Sequence, residues 1–431
     1  MSDNDVPAEG ILRSFRHRDY RLFYSGQIVS LTGNWIQTTV QGWLVYSLTL
    51  SSAALGAVGF AAMVPTLLLG AFAGVYADRW DRRRALIGTQ ALAMLQASLL
   101  AALTLSGVVQ VWQIALLACF AGCVGAFDMP IRQSFVVELV GRRDLSNALA
   151  LNSMMFNMAR IAGPAAAGVL IGLMGPGWCF ALNAATYTFV IAALWRISGK
   201  REGARDAAPR EPVMKSLKAG LRYAWSHHHI RNPLILLACV SLVIMPFMTL
   251  MPVAAVELLE GGAGTLGLLL SSVGAGAFAG GLHLAGRASP RRMGSLIGSA
   301  SVLYGAAVIT FSFSRVQAAS CLLLVAAGAG MMRQSVGCNT LIQSLVAENM
   351  RGRVMSLYVL TFVGLAPLGS LFLGWLAEHI GIAGTVRLTG LWVLLSAAWF
   401  ISRLWEMKES VKRLSAETEA AGGAAWLKEL I

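Results

Sequence analysis

Residues 54–77 read ALGAVGFAAMVPTLLLGAFAGVYA and residues 85–106 read ALIGTQALAMLQASLLAALTLS; neither run holds a charged side chain. Between them lies DRWDRRR, in which six of seven residues are charged. Each apolar run matches the roughly 20 residues that an α-helix needs to cross bilayer hydrocarbon. Inside lipid a segment must satisfy its own backbone hydrogen bonds, so such runs become helices. The charged heptad stays in water, and two crossings joined on one side are the result.

The same alternation continues in both directions. Apolar runs bounded by charge or by Gly/Pro clusters predict helices at about 23–48, 54–77, 85–106, 110–132, 146–173, 177–196, 233–256, 264–286, 293–313, 316–340, 354–378 and 384–403. Only 13% of the 431 residues are charged and 56% are hydrophobic, against about 25% charged in soluble domains. Lipid therefore solvates most of the chain. The fold class expected is all-α integral membrane, with twelve transmembrane helices in two six-helix bundles.

Loops alternate between charged ones and short ones such as Thr49–Ala53, Ser106–Gln110 and Gly175–Gly177, which hold no Lys or Arg. With both termini on one side, 30 of the 34 basic residues fall on that side. The positive-inside rule makes it cytoplasmic, in a multi-pass protein of a cell inner (plasma) membrane. The net charge of +13 is thus distributed over alternate loops, not gathered into a nucleic-acid patch. The polar, acidic start (Ser2 to Glu9) precedes Arg13, Arg16, Arg18 and Arg21. That order is not a cleaved signal peptide's, so the first span is expected in the mature protein. Six cysteines lie in apolar runs, where they read as small packing residues; Cys119 and Cys123 alone share a helix face at a ligand-like spacing. No cofactor or metal is expected.

The domain reading is a cytoplasmic amphipathic N-terminus over 1–22, a six-helix bundle over 23–197, a cytoplasmic linker over 198–232, a second bundle over 233–403, and a cytoplasmic tail over 404–431. Within the linker, Val213, Leu217, Leu221 and Trp225 recur every fourth residue among Lys215, Lys218 and Arg222, which suits a helix lying on the membrane surface. The triplet His227–His229 reads as part of an exposed basic loop or as a metal site. A repeat at an offset of 206 residues relates the halves. It lays Arg132 and its neighbours over Cys338 and matches Gly74, Gly122, Gly163, Gly168 and Gly175 with Gly280, Gly328, Gly369, Gly374 and Gly381.

The loop after the second span, Gly74-Val-Tyr-Ala-Asp78-Arg79-Trp-Asp-Arg82-Arg83-Arg84, resembles the G-x-x-x-D-R-x-x-R-R signature of the major facilitator superfamily. With six plus six spans around a central linker, the resemblance covers essentially the whole chain. It implies that this loop latches the halves in the outward-facing state, Asp78 meeting the start of the eleventh span near Arg353. A plain positive-inside loop is the alternative. The second half keeps Gly280 and Arg291-Arg292 but lacks the acid. In the fifth span, Gly163-Pro164-Ala-Ala-Ala-Gly168 resembles the G-P-x-x-x-G motif of exporter branches. Small residues there permit tight helix packing and the proline a bend. Phe127-Asp128-Met129-Pro130, Asn147 to Ser153 and Phe156-Asn157-x-x-Arg160, together with Phe15 to Leu22, are similar to the branch holding enterobactin-type siderophore exporters, macrolide efflux proteins and lysophospholipid transporters. One departure counts against proton antiport: the fourth span has no arginine in its apolar body.

The candidate pathway begins on the first span, where Gln27, Asn34, Gln37 and Gln41 recur at steps of seven, three and four, with Thr38 beside them. Such a stripe faces either a wet cavity or neighbouring helices. Arg160 lies about 12 residues, roughly 18 Å, into its helix, where a charge costs about 2.5 kcal/mol or more. Arg333 is a second cation inside a span, and no midplane carboxylate balances Arg160. Either the cavity favours anionic or strongly polar aromatic cargo, or Arg160 pairs with Asp128 or helix carbonyls. Asp128 and Arg132 are the candidate proton or charge relay, with structural pairing as the alternative.

The expected function is secondary transport of a small molecule by alternating access, as an exporter, with membrane lipid and a proton as further candidate partners. A monomer without nucleic-acid binding is expected. No G-x-x-x-x-G-K-[ST] loop supports ATP drive. A membrane-embedded enzyme or a transport-inactive sensor remains the alternative.

Overall fold

The computed structural model describes residues 12–77, 80–197, 213–286, 292–409 and 411. Among them there is no strand. Nine described stretches are long and apolar enough to span a bilayer. Two of these, Arg143–Arg196 and Glu348–Ser402, run to 54 and 55 residues, each enough for two crossings. Helix α1 (Arg18–Thr49) adds a span that is more polar along its length. Twelve crossings result.

The first half comprises α1, α2 (Ser52–Ala77), α3 (Arg82–Leu105) and α4 (Val111–Arg196). Helix α4 is broken only at Gly141 and Gly175, whose φ angles are 70° and 79°. It therefore supplies the fourth, fifth and sixth spans. The stretch 133–145, expected as a loop, is instead helical on both sides of Gly141, because helices continue into water once their charged residues have left the lipid. The expected loop at 175–177 contracts to Gly175, where an L side chain would meet its own backbone. The second half repeats this device: α12 (Ala366–Ser402) bends at Gly381, φ 73°, 206 residues later.

Linker helix α5 (Val213–Ser226) precedes the seventh span, formed by α6 (His228–Thr249) and α7 (Met251–Glu257). Helices α8 (Ala263–Ala285), α9 (Met293–Phe311) and α10 (Gln317–Leu345) are the eighth to tenth spans. Helix α11 (Arg351–Gly364) and the first part of α12 make the eleventh, and the rest of α12 the twelfth.

Small residues let the halves meet. A Cβ on Gly168 would lie 2.9 Å from the Ala263 carbonyl oxygen and 3.1 Å from Cα of Gly264, so the fifth and eighth spans touch backbone to backbone. The second and eleventh spans do the same, with Cα of Gly56 2.8 Å from a Cβ built on Gly374. Gly168 and Gly374 are the matched pair of the repeat. These seams lie toward the face that carries the short loops. There Tyr46 donates to Glu257 at 2.9 Å, and Glu378 accepts from the Ser51 hydroxyl at 3.0 Å and the Ala53 N–H at 3.1 Å. The short-loop face is thus closed across both seams.

Candidate functional site

The polar stripe of α1 divides in two. Gly33 has no side chain, so Asn183 and Thr186 of the sixth span press against it; a Cβ there would lie 2.6 Å from the Thr186 hydroxyl. Asn183 then donates its amide to Gln37 at 2.8 Å, and Gln37 donates onward to Gln96 of α3 at 2.9 Å. All three are buried. Buried amides this deep are worth keeping only when paired, and this chain ties three spans together. Gln27 is also buried. Asn34 and Gln41 are half-buried and Thr38 is exposed. Tyr187 donates to Asn34 at 2.5 Å, which fixes the orientation of that amide.

Arg160 is the second component. Gly163, one turn further along the fifth span, packs against Cβ of Trp35 and so brings the indole beside the guanidinium. The Arg160 guanidinium carbon lies 5.9 Å from the Trp35 ring centroid, and Phe156 meets the same ring edge-on at 5.7 Å. A cation over an aromatic face is favourable by about 0.5 to 2 kcal/mol, but it does not neutralise the charge. Among the described residues no carboxylate pairs with Arg160, and Asp128 is engaged elsewhere. Its Oδ1 accepts from Thr89 at 2.8 Å and Gln90 at 2.7 Å, and its Oδ2 lies 2.9 Å from Arg132. Arg333 is half-buried, and its Nε has no hydrogen-bond partner among the described residues.

Of the expected latch residues, Asp78 and Arg79 lie outside the described residues, and Gly74 lies within α2. Arg82 pairs with Glu138. Arg83 donates to the carbonyls of Leu194 and Trp195 at 2.7 and 2.8 Å. Both therefore grip their own half. Arg353 stands in the first turn of α11, its backbone packed on Gly220 of α5. The G-P-x-x-x-G motif also splits by direction: Gly163 faces α1 of its own half, while Pro164 and Gly168 face Gly267 and Ala263 of the other.

The sequence reading missed Thr89, Gln90, Gln96, Asn183 and Tyr187. Their signal was present, since Gln90, Gln96 and Asn183 each interrupt an apolar run. Among the described residues no cluster of His, Cys, Asp and Glu could hold a metal.

The sequence model of the transmembrane secretion effector family matches residues 10–421. The chain is 25% identical over 394 residues to the staphyloferrin A transporter of Staphylococcus aureus, covering 90% of this chain and 97% of that one. It is 26% identical over 388 residues to the multidrug efflux pump Tap of Mycolicibacterium fortuitum, covering 87% and 93%. In fold it is similar to a bacterial homologue of the human lysosomal transporter Spinster in an inward-facing, unoccupied conformation. There the TM-score is 0.72 at 13% identity, over 92% of this chain and 98% of that one.

Proposed function

This chain belongs to the transmembrane secretion effector family of the major facilitator superfamily, and from that premise we propose that it exports an anionic or strongly polar aromatic small molecule. It is a multi-pass membrane protein and a secondary transporter that works by alternating access. The observation that carries the cargo class is Arg160, a cation inside the fifth span that stands over the Trp35 ring and pairs with no carboxylate among the described residues. Phe156 meets the same ring edge-on, Asn34 and Gln41 are the half-buried amides of the α1 stripe, and Arg333 is a second cation inside a span. An anion entering this cleft supplies the missing charge, whereas a cation meets repulsion. Export is favoured by the efflux role named for one relative and by the seam motif at Gly163, Pro164 and Gly168.

In this reading the closed short-loop face is the external one, the termini and the 198–232 linker are cytoplasmic, and the cleft opens inward. The pairing of Arg82 and Arg83 within their own half is what a released latch requires; Asp78 and Arg79 would engage the start of the eleventh span near Arg353 in the opposite state. Asp128 and Arg132 serve as a structural pair holding α3 to the fourth span. The monomer is the working unit, it binds no nucleic acid, and it performs no catalysis.

The test is transport into inverted vesicles of anionic and cationic aromatic probes by wild type and Arg160→Ala. Anion transport should fall at least tenfold in the variant while cation transport holds or rises. Unchanged selectivity would remove the charge argument.

A further inference from the structure

Linker helix α5 has two faces with different partners. On one, Gly220 and Ala224 are buried; a Cβ on Gly220 would lie 3.0 Å from the Arg353 carbonyl oxygen, and the Tyr223 hydroxyl accepts the Ala347 N–H at 3.3 Å. This face braces the first turn of the eleventh span. On the other face, Lys218, Leu221, Arg222 and Trp225 follow one another at helical spacings of three, one and three residues. Leu221 is 53% exposed and Trp225 61%. With Ser226 these four line a shallow, open groove. Arg231 stands over the Trp225 ring at 5.8 Å.

Helix α6 begins two residues after α5 ends and its apolar run starts at Pro233, which keeps α5 close to the membrane surface. Tryptophan, leucine and basic residues on one helix face are the composition that seats a helix there. The groove lining has two cations and an apolar floor but no carboxylate, and Arg231 brings a third cation to its edge. We propose that this groove binds an anionic phospholipid, its phosphate held by Lys218, Arg222 and Arg231 and its acyl chain laid along Leu221 and Trp225. A free phosphate would use the cations and leave the apolar floor uncovered, so the lipid is the better fit. Because the opposite face of α5 rests on the start of the eleventh span, a bound lipid steadies the element against which the halves rearrange.

The full chain is reconstituted into nanodiscs of phosphatidylcholine with rising fractions of phosphatidylglycerol, and thermal stability is followed for wild type, Lys218→Ala/Arg222→Ala and Lys218→Arg/Arg222→Lys. Wild type should gain stability as phosphatidylglycerol rises, and less so at high salt. Removing the two cations should weaken the apparent affinity for phosphatidylglycerol about fivefold per cation without changing stability in pure phosphatidylcholine. The charge-conserving variant should behave as wild type. Two results would overturn the site: an undiminished phosphatidylglycerol response in the alanine variant, or an equal response of wild type to soluble glycerol phosphate in phosphatidylcholine discs. Neither readout depends on which cargo is transported.

Discussion

The two halves place glycine at the same positions and fill the space between with different chemistry. Gly163 and Gly369 both press on the first helix of their own half, Trp35 in one case and Leu242 in the other; Gly168 and Gly374 both press across the seam. At the same offset, Asn34, Gln37, Gln96 and Asn183 become Val240, Val243, Val302 and Thr389. The ion pair of Asp128 with Arg132 becomes Gln334 with Cys338, a neutral contact at 3.7 Å. Arg160 becomes Ala366. Backbone geometry has to be common to both halves for them to rock against each other, whereas the polar lining does not. The first half therefore carries the amide and cation chemistry, and the second half supplies a mainly apolar wall, with Arg333 as the cation inside its tenth span.

The largest expected effect tests the charged pair against its neutral counterpart. Arg132→Leu leaves Asp128, only 6% exposed, with Thr89 and Gln90 alone, and should cost about 3 kcal/mol or more. The double change Asp128→Gln/Arg132→Cys copies the second half and should recover most of that loss in thermal unfolding. No recovery would mean that the first half needs the charge itself. Next come the seams. Gly168→Leu and Gly374→Leu should each destabilise the closed short-loop face by about 1–3 kcal/mol and by similar amounts, read as the loss of cysteine cross-linking between Ser51 and Glu378 positions. Unequal losses would break the structural equivalence of the halves. The smallest contrast is between Asn183 and Thr389. Asn183→Leu strands the Gln37 amide and should cost about 1–3 kcal/mol, whereas the buried Thr389 hydroxyl has no hydrogen-bond partner among the described residues, so Thr389→Val should be neutral or stabilising.

Much of this molecule is legible along the chain. Apolar length located the spans, because a helix in lipid satisfies its backbone alone. The glycine offset held up in space, and Gly175 and Gly381 even share a positive φ. The amphipathic period of 213–225 matched α5. The polar stripe of α1 was visible as a stripe, but Gln37 and Asn34 are one turn apart and have different fates, one buried between Gln96 and Asn183 and the other half-buried under the Tyr187 hydroxyl. The expected loop at 133–145 was misread for a similar reason: charge marks where a chain leaves lipid, not where its helix stops.

By itself the sequence determined how often the chain crosses the bilayer, which loops share a side, and where backbones can come close, since these follow from hydropathy, charge and missing side chains at single positions. Only the tertiary structure decided that Asp128 belongs to Arg132, Thr89 and Gln90, that Arg160 meets an aromatic ring and no acid among the described residues, and which half of the stripe is buried. Those outcomes depend on how each helix is rotated about its own axis, and that rotation is fixed by neighbours dozens to hundreds of residues away.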